Sequence, residues 1–235
     1  MYNWTKELKL FNRVLTFDKC DSEKYGIIYK PNFFLGISAG TPNQAEYDLF
    51  FAGKYNPDRL SIIDRIMAKS ENADINYCIN VWPSYKIFWH NRLVYVFLKW
   101  INYKSRWIHD YLLNYEAVEG MLKRKYLVNN SLGYEETNLF LIKTNVVLDL
   151  PCRGQSGYSH RLIAALANGK KILTTNSDIQ EESFYNPDQI RILDTADPKI
   201  DYVWIKERPD FPVSSMIRNL ELPIWLKNLY ENILI

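Results

Sequence analysis

The 235-residue chain carries 29 Lys and Arg against 27 Asp and Glu, a net charge of +2, with 47% hydrophobic and 24% charged residues. This composition suits one sizeable folded core and lacks the concentrated basic surface of a nucleic-acid binder. Cys20, Cys78 and Cys152 are scattered with no CxxC pair, and no signal-peptide stretch or run of about 18 apolar residues occurs; these features argue against disulfides, zinc and a spanning helix and favour a cytoplasmic protein.

At the amino end, Arg13 to Asp18 (RVLTFD) predicts a strand and Lys24 to Phe34 a connecting segment. Nothing there completes a domain, so residues 1–38 read as the tail of an amino-terminal one. Tyr47 to Ala52 (YDLFFA) is a short apolar strand, closed by the turn Gly53, Lys54, Tyr55. Asn56 then supplies an N-cap, Pro57 a first helical position and Asp58 a complement to the helix dipole. A helix follows over Arg59 to Lys69 with Leu60, Ile63 and Ile66 inward, and Ile75 to Val81 is the next strand.

Between Ser84 and Lys143, Lys86, Arg92, Lys99, Lys104 and Arg106 interleave with Trp89, Tyr95, Phe97 and Trp107. The pattern fits a peripheral helix on the anionic inner face of the cytoplasmic membrane, and equally a helix packed on the sheet with a solvated basic face. Thr144 to Leu150 (TNVVLDL) is a β-branched strand, Pro151 to Gly157 (PCRGQSG) a glycine-punctuated loop, and Tyr158 to Ala167 a helix stopped by Gly169. Lys171 to Thr175 is the following strand. Leu222 to Ile235 predicts an amphipathic helix with Ile224, Leu226, Leu229, Tyr230 and Ile233 as packing residues.

Alternating strands and helices define an α/β fold, a doubly wound Rossmann-like parallel sheet with helices on both faces. Residues 39–215 hold that sheet and 216–235 the carboxyl-terminal helix. In such folds ligands bind at the carboxyl ends of the strands. A helix amino terminus after Gly157 offers N–H groups and dipole to a diphosphate, and Arg153 and Arg161 can add forked, charge-assisted bonds. Thr174, Thr175 and Asn176 end a strand at the same edge, and Tyr185 can stack on a base or sugar. Each has a structural alternative: Arg161 pairing with a carboxylate, Gln155 capping the turn, the Thr-Thr-Asn run satisfying backbone, Tyr185 in the core. No DxD pair points to a metal, and no general base is assigned.

The stretch VVLDLPCRGQSGYSHRLIAALANGKKILTTNSDIQEESFYNPDQIRILD resembles the donor-binding core of GT-B glycosyltransferases from lipopolysaccharide core and capsule clusters, rhamnosyltransferase-like members above all. Asp149, Gln155, Gly157, Arg161, Gly169, Lys170, Lys171, Thr174, Thr175, Asn176, Phe184, Tyr185, Asn186 and Pro187 carry the likeness. FAGKYNPDR, with Gly53 and Arg59, is similar to the opening loop and helix of the same domain, and TFDKCDSEKYGIIYKPNFF to the close of the domain before it. The resemblance implies a metal-independent enzyme, if an amino-terminal domain accompanies it. Such an enzyme moves sugar from a nucleotide-diphosphate sugar, with no other cofactor, to a lipopolysaccharide core or polysaccharide acceptor. It implies a substrate-binding set of Gly53, Lys54, Arg59, Arg153, Gln155, Gly157, Tyr158, Arg161, Thr174, Thr175, Asn176 and Tyr185. Ala164 stands where the family usually has a Glu, and the acceptor-side domain is almost absent. A catalytically inactive remnant or binding module is therefore the alternative.

Overall fold

The computed structural model describes residues 5–36, 45–69, 73–82, 92–101, 112, 115, 131–152 and 154–231. Helix α1 (Thr5–Leu8) precedes a small unit of β1 (Leu15–Thr16), α2 (Lys19–Tyr25) and β2 (Ile28–Tyr29), whose two strands pair in parallel. The main unit follows as β3 (Tyr47–Lys54), α3 (Pro57–Lys69), β4 (Tyr77–Trp82), α4 (Arg92–Ile101), α5 (Tyr134–Ile142), β5 (Thr144–Asp149), α6 (His160–Ala167), β6 (Lys171–Thr174) and β7 (Ile190–Ile192). Short helices α7 (Tyr202–Lys206) and α8 (Ser215–Arg218) and then α9 (Leu222–Leu229) follow.

Strands β3 to β7 form one wholly parallel sheet in the order β4-β3-β5-β6-β7. Four of the five strands expected from sequence lie in it, all but the Arg13 to Asp18 segment, and β5 pairs with β6 in parallel through Val146↔Lys171 to Asp149↔Thr174. β7 is an addition that sequence reasoning missed. Residues alternate between two cores. On one face, Leu60, Ile62, Ile63 and Ile66 of α3, with Trp204 and Ile205 of α7, cover Leu49, Phe51, Val146 and Leu148. On the other, Leu162, Ile163 and Leu166 of α6, Leu141 of α5 and Ile217 of α8 cover Phe50, Ala52, Val147 and Ile172. Every residue of β5 is buried, as befits a central strand covered on both faces.

The helix starts follow the chain's own capping chemistry. Asn56 Oδ1 accepts from the N–H groups of Asp58 (2.9 Å) and Arg59 (3.2 Å), so α3 begins at Pro57 as its cap dictates. Helix α6 begins at His160, two residues later than expected, because Ser159 is its cap and accepts from Leu162 N–H at 3.1 Å.

Two expectations need correction. The strand expected over Arg13 to Asp18 is only Leu15–Thr16, because Asp18 turns the chain by capping α2. In α9 the expected packing residues Ile224, Leu226 and Tyr230 are 37%, 48% and 63% exposed, and Leu229 is half-buried. Trp225 instead packs against the core and donates to the Pro31 carbonyl at 2.8 Å; Ile233 lies outside the described residues. Of the basic aromatic segment, α4 leaves Val96, Phe97 and Trp100 exposed, while Lys86, Trp89, Lys104, Arg106 and Trp107 lie outside the described residues. Among the described residues no helix is long and apolar enough to cross a membrane.

Candidate functional site

The strand order places the topological switch between β3 and β5: the chain leaves β3 toward β4 and returns on the other side of β3 as β5. Helix α3 follows β3 on one face and α6 follows β5 on the opposite face. In parallel α/β sheets the ligand crevice lies outside the carboxyl ends of the strands at such a switch point.

Two guanidinium groups reach this crevice from opposite faces. Arg161, in the first turn of α6, donates through Nη1 to the Ala52 carbonyl of β3 and through Nη2 to Asp149 Oδ1 of β5 at 3.3 Å. Its guanidinium lies 4.8 Å from the centre of the Phe51 ring, in cation–π range. Arg59, in the first turn of α3, donates through Nε to the Leu150 carbonyl and through Nη1 to the Lys54 carbonyl at 3.4 Å. Burial lowers the pKa of Arg161; Asp149 opposes that shift and the like charge of Arg59 adds to it. The Nε of Arg161 is buried with no hydrogen-bond partner.

Asp149 anchors the arrangement. It is 1% exposed and accepts from Ser159 Oγ (2.7 Å), Arg161 Nη2 (3.3 Å) and Thr174 Oγ1 (3.3 Å). Its backbone carbonyl accepts from Thr175 N–H. A buried carboxylate with this many donors is satisfied, and it ties β5, β6 and α6 into one edge. Gly53 fits the same packing, since a β-carbon there would stand 2.8 Å from the Phe51 ring.

The loop between β5 and α6 is already occupied by an anion from the chain itself. The Asp18 carboxylate accepts from Ser156 N–H (2.8 Å), Ser156 Oγ (2.6 Å) and Gly157 N–H (3.1 Å), besides capping α2 through Asp21 N–H (3.2 Å). Burial opposes its ionisation, but the bonds from Ser156, Gly157 and Asp21 outweigh it and hold the carboxyl below the ordinary aspartate range. Gly157 does permit a close approach, and the approaching backbone is that of Phe17: a β-carbon at 157 would collide with the Phe17 carbonyl oxygen.

The remaining expected residues divide between edge and core. Thr174 and Asn176 are buried at the edge; Thr174 Oγ1 accepts from Asn176 N–H at 3.1 Å, and Asn176 Nδ2 donates to the Ser156 carbonyl at 3.1 Å. Gln155 braces its own loop, accepting from Cys152 N–H at 3.4 Å. Lys54 ends β3 exposed. Tyr158 is buried, with its hydroxyl donating to Glu182 at 2.7 Å and its ring edge-on to Phe184. Tyr185 packs against the α6 core and lines a separate cavity of about 200 Å³ with Phe184, Gln189 and Phe211. His160 holds the Phe33 carbonyl through Nδ1 at 2.9 Å. Arg153 lies outside the described residues.

Sequence reasoning missed Asp18, Ser156, Ser159 and Glu182. The first and third carry a local signal, a capping residue before a helix, whereas the contacts of Asp18 with Ser156 span 138 positions. Among the described residues no group of three or more His, Cys, Asp or Glu side chains gathers to hold a metal ion. No family model matches the chain, and no curated protein matches it at a significant level.

Proposed function

We propose that the crevice between β3 and β5 receives the diphosphate of a nucleotide sugar, and that the chain is the donor-binding part of a GT-B-like glycosyltransferase. In this reading the sugar passes to a lipopolysaccharide core or surface polysaccharide acceptor at the inner face of the cytoplasmic membrane. The observation that carries the reading is the convergence of Arg59 and Arg161, from helices on opposite faces, at the switch point of the sheet. The two positive charges are matched here by one carboxylate, Asp149, so the like-charge repulsion that remains favours a further anion between them. Preorganised cations then stabilise the charge that builds on a leaving diphosphate. The resemblance of residues 146–194 to the donor-binding core agrees with this placement.

Arg161 is tied to Asp149 and Ala52, so Arg59, half-buried and bonded only to backbone carbonyls among the described residues, is the better probe. Calorimetry with UDP-, GDP-, dTDP- and CMP-sugars is expected to find one binding donor. Arg59→Ala should weaken it about 10- to 150-fold, the worth of one charge-assisted bond, with little change in thermal midpoint. Unchanged affinity in Arg59→Ala, or no binding by any donor, overturns the reading.

One observation favours the second reading, a binding module or silent remnant. The loop N–H groups and the Arg161 fork are already engaged by protein groups. A donor that binds without turnover in the presence of acceptor would select it.

A further inference from the structure

The segment from β1 to Phe34 lies along the carboxyl edge as an arm held at several points. Asp18 fills the N–H groups of Ser156 and Gly157, and Ser156 Oγ in turn accepts from Cys20 N–H at 3.3 Å. Next to it, Lys19 pairs with Glu182, the same carboxylate that receives the Tyr158 hydroxyl. Further along, Asn32 Nδ2 donates to the Tyr158 carbonyl at 2.7 Å, and Phe34 pairs with the start of α9 through Leu222 N–H at 2.9 Å. Asp18 and Lys19 thus place opposite charges on two separate loops, those after β5 and β6.

We infer that this arm is an autoinhibitory clasp, in which the Asp18 carboxylate stands where a diphosphate would take the loop N–H groups, so that arm docking and anion binding exclude each other. The inference rests on the donor-site reading above for the identity of the competing ligand. Its physical basis is independent of that reading: two N–H groups and one hydroxyl already hold a full negative charge at 2.6 to 3.1 Å, and they cannot hold a second one. An external anion must therefore displace an internal competitor. Its apparent affinity falls by the fraction of molecules with the arm released. Lys19 and Glu182 set that fraction without touching the Ser156 and Gly157 N–H groups, because their ion pair joins the arm to a different loop.

The test uses the full chain, inorganic pyrophosphate and nucleotide sugars as probes, and hydrogen exchange of the amides of residues 19–29. Saturating pyrophosphate should speed exchange in the arm of the wild type while leaving β5 and β6 protected. Asp18→Asn, which replaces one acceptor oxygen by a donor, should bind pyrophosphate at least about tenfold more tightly. Lys19→Ala should act in the same direction and carries the test should Asp18→Asn fail to fold. If pyrophosphate behaves this way but no nucleotide sugar binds, the clasp stands and the donor-site reading falls. If a nucleotide sugar binds wild type and both variants equally, with the arm still protected, the clasp is overturned and the donor-site reading survives. If neither probe binds any of the three proteins, both fall.

Discussion

At the carboxyl edge of the sheet Arg161 is buried against a carboxylate, Asp149; at the amino edge Lys170 and Lys171 are buried against backbone carbonyls. Lys170 Nζ donates to the Ile142 carbonyl at 2.7 Å, and burial pushes its pKa down to about 8. Lys171 donates to the carbonyls of Trp204 and Glu207, and burial lowers its pKa too, although the Glu207 carboxylate 3.8 Å away opposes that. Carbonyl dipoles satisfy an ammonium group without replacing the lost hydration of its charge. Burial lowers the pKa of the cations at both edges, but only Arg161 has a buried carboxylate, Asp149, to oppose the shift. The two cationic edges of one sheet are therefore not equivalent: a buried carboxylate partners the cation at one, backbone carbonyls at the other.

The sharpest way to break the comparison is to remove the carboxylate. Asp149→Ala leaves Arg161 buried with no ionic partner and should cost about 3 to 5 kcal/mol in urea unfolding. A loss below about 1 kcal/mol would mean that the two edges are alike after all. The next effect concerns the amino edge and has a definite sign. The unfolded Lys170 holds its proton up to its ordinary pKa, near 10.5, whereas the folded one releases it near 8. Between those values the unfolded state binds more protons, and stability rises with pH. The full rise attributable to Lys170 is about 3 kcal/mol. Lys170→Met should flatten it against wild type in denaturation series from pH 7 to pH 10. An identical slope in both proteins would place the proton elsewhere. The smallest effect separates the role of Asp149 from that of its neighbour: Ser159→Ala removes the α6 cap and one bond to Asp149, and should cost about 1 kcal/mol. Asp149 keeps Arg161 and Thr174 in that variant, so a cost equal to that of Asp149→Ala would show that Ser159, not Arg161, is what the carboxylate serves.

Much of the fold was legible because local rules and tertiary needs agree there. The β-branched run 144–149 bounded by Pro151, and the Asn-Pro-Asp start of α3, point to the elements that form. β7 was not legible, since Ile190–Ile192 has three residues with an arginine in the middle and gains its strand geometry only by pairing with β6. The α9 periodicity misled for a related reason. Leucines and isoleucines mark an apolar stripe, but the contact made is by Trp225, whose indole N–H needs the Pro31 carbonyl. For the site, the sequence placed Gly53, Arg59, Gly157, Arg161 and Thr174 to Asn176 at one edge, which follows from strand direction alone. It left open whether Arg161 meets phosphate or carboxylate, and the structure gives it a carboxylate on its own sheet. Asp18 was beyond reach, because pairing between residues so far apart depends on how the arm crosses the edge, which no local pattern encodes.

The switch point also bears on how the molecule assembles. β5, α6 and β6 lie within residues 144–174, and β7 follows by 192, so these parallel pairings close over short stretches of chain. The β3–β5 pairing instead joins strands separated by everything between Lys54 and Thr144. Closing that long loop costs more chain entropy before any contact rewards it. The β5–β6–β7 half is therefore expected to form first, with the Asp149 bonds to Ser159 and Thr174 in place and Arg161 still lacking the Ala52 carbonyl. The crevice comes into being only when the two halves of the sheet meet. A ligand seated there bridges the last seam to close, and draws the folding equilibrium toward the completed sheet.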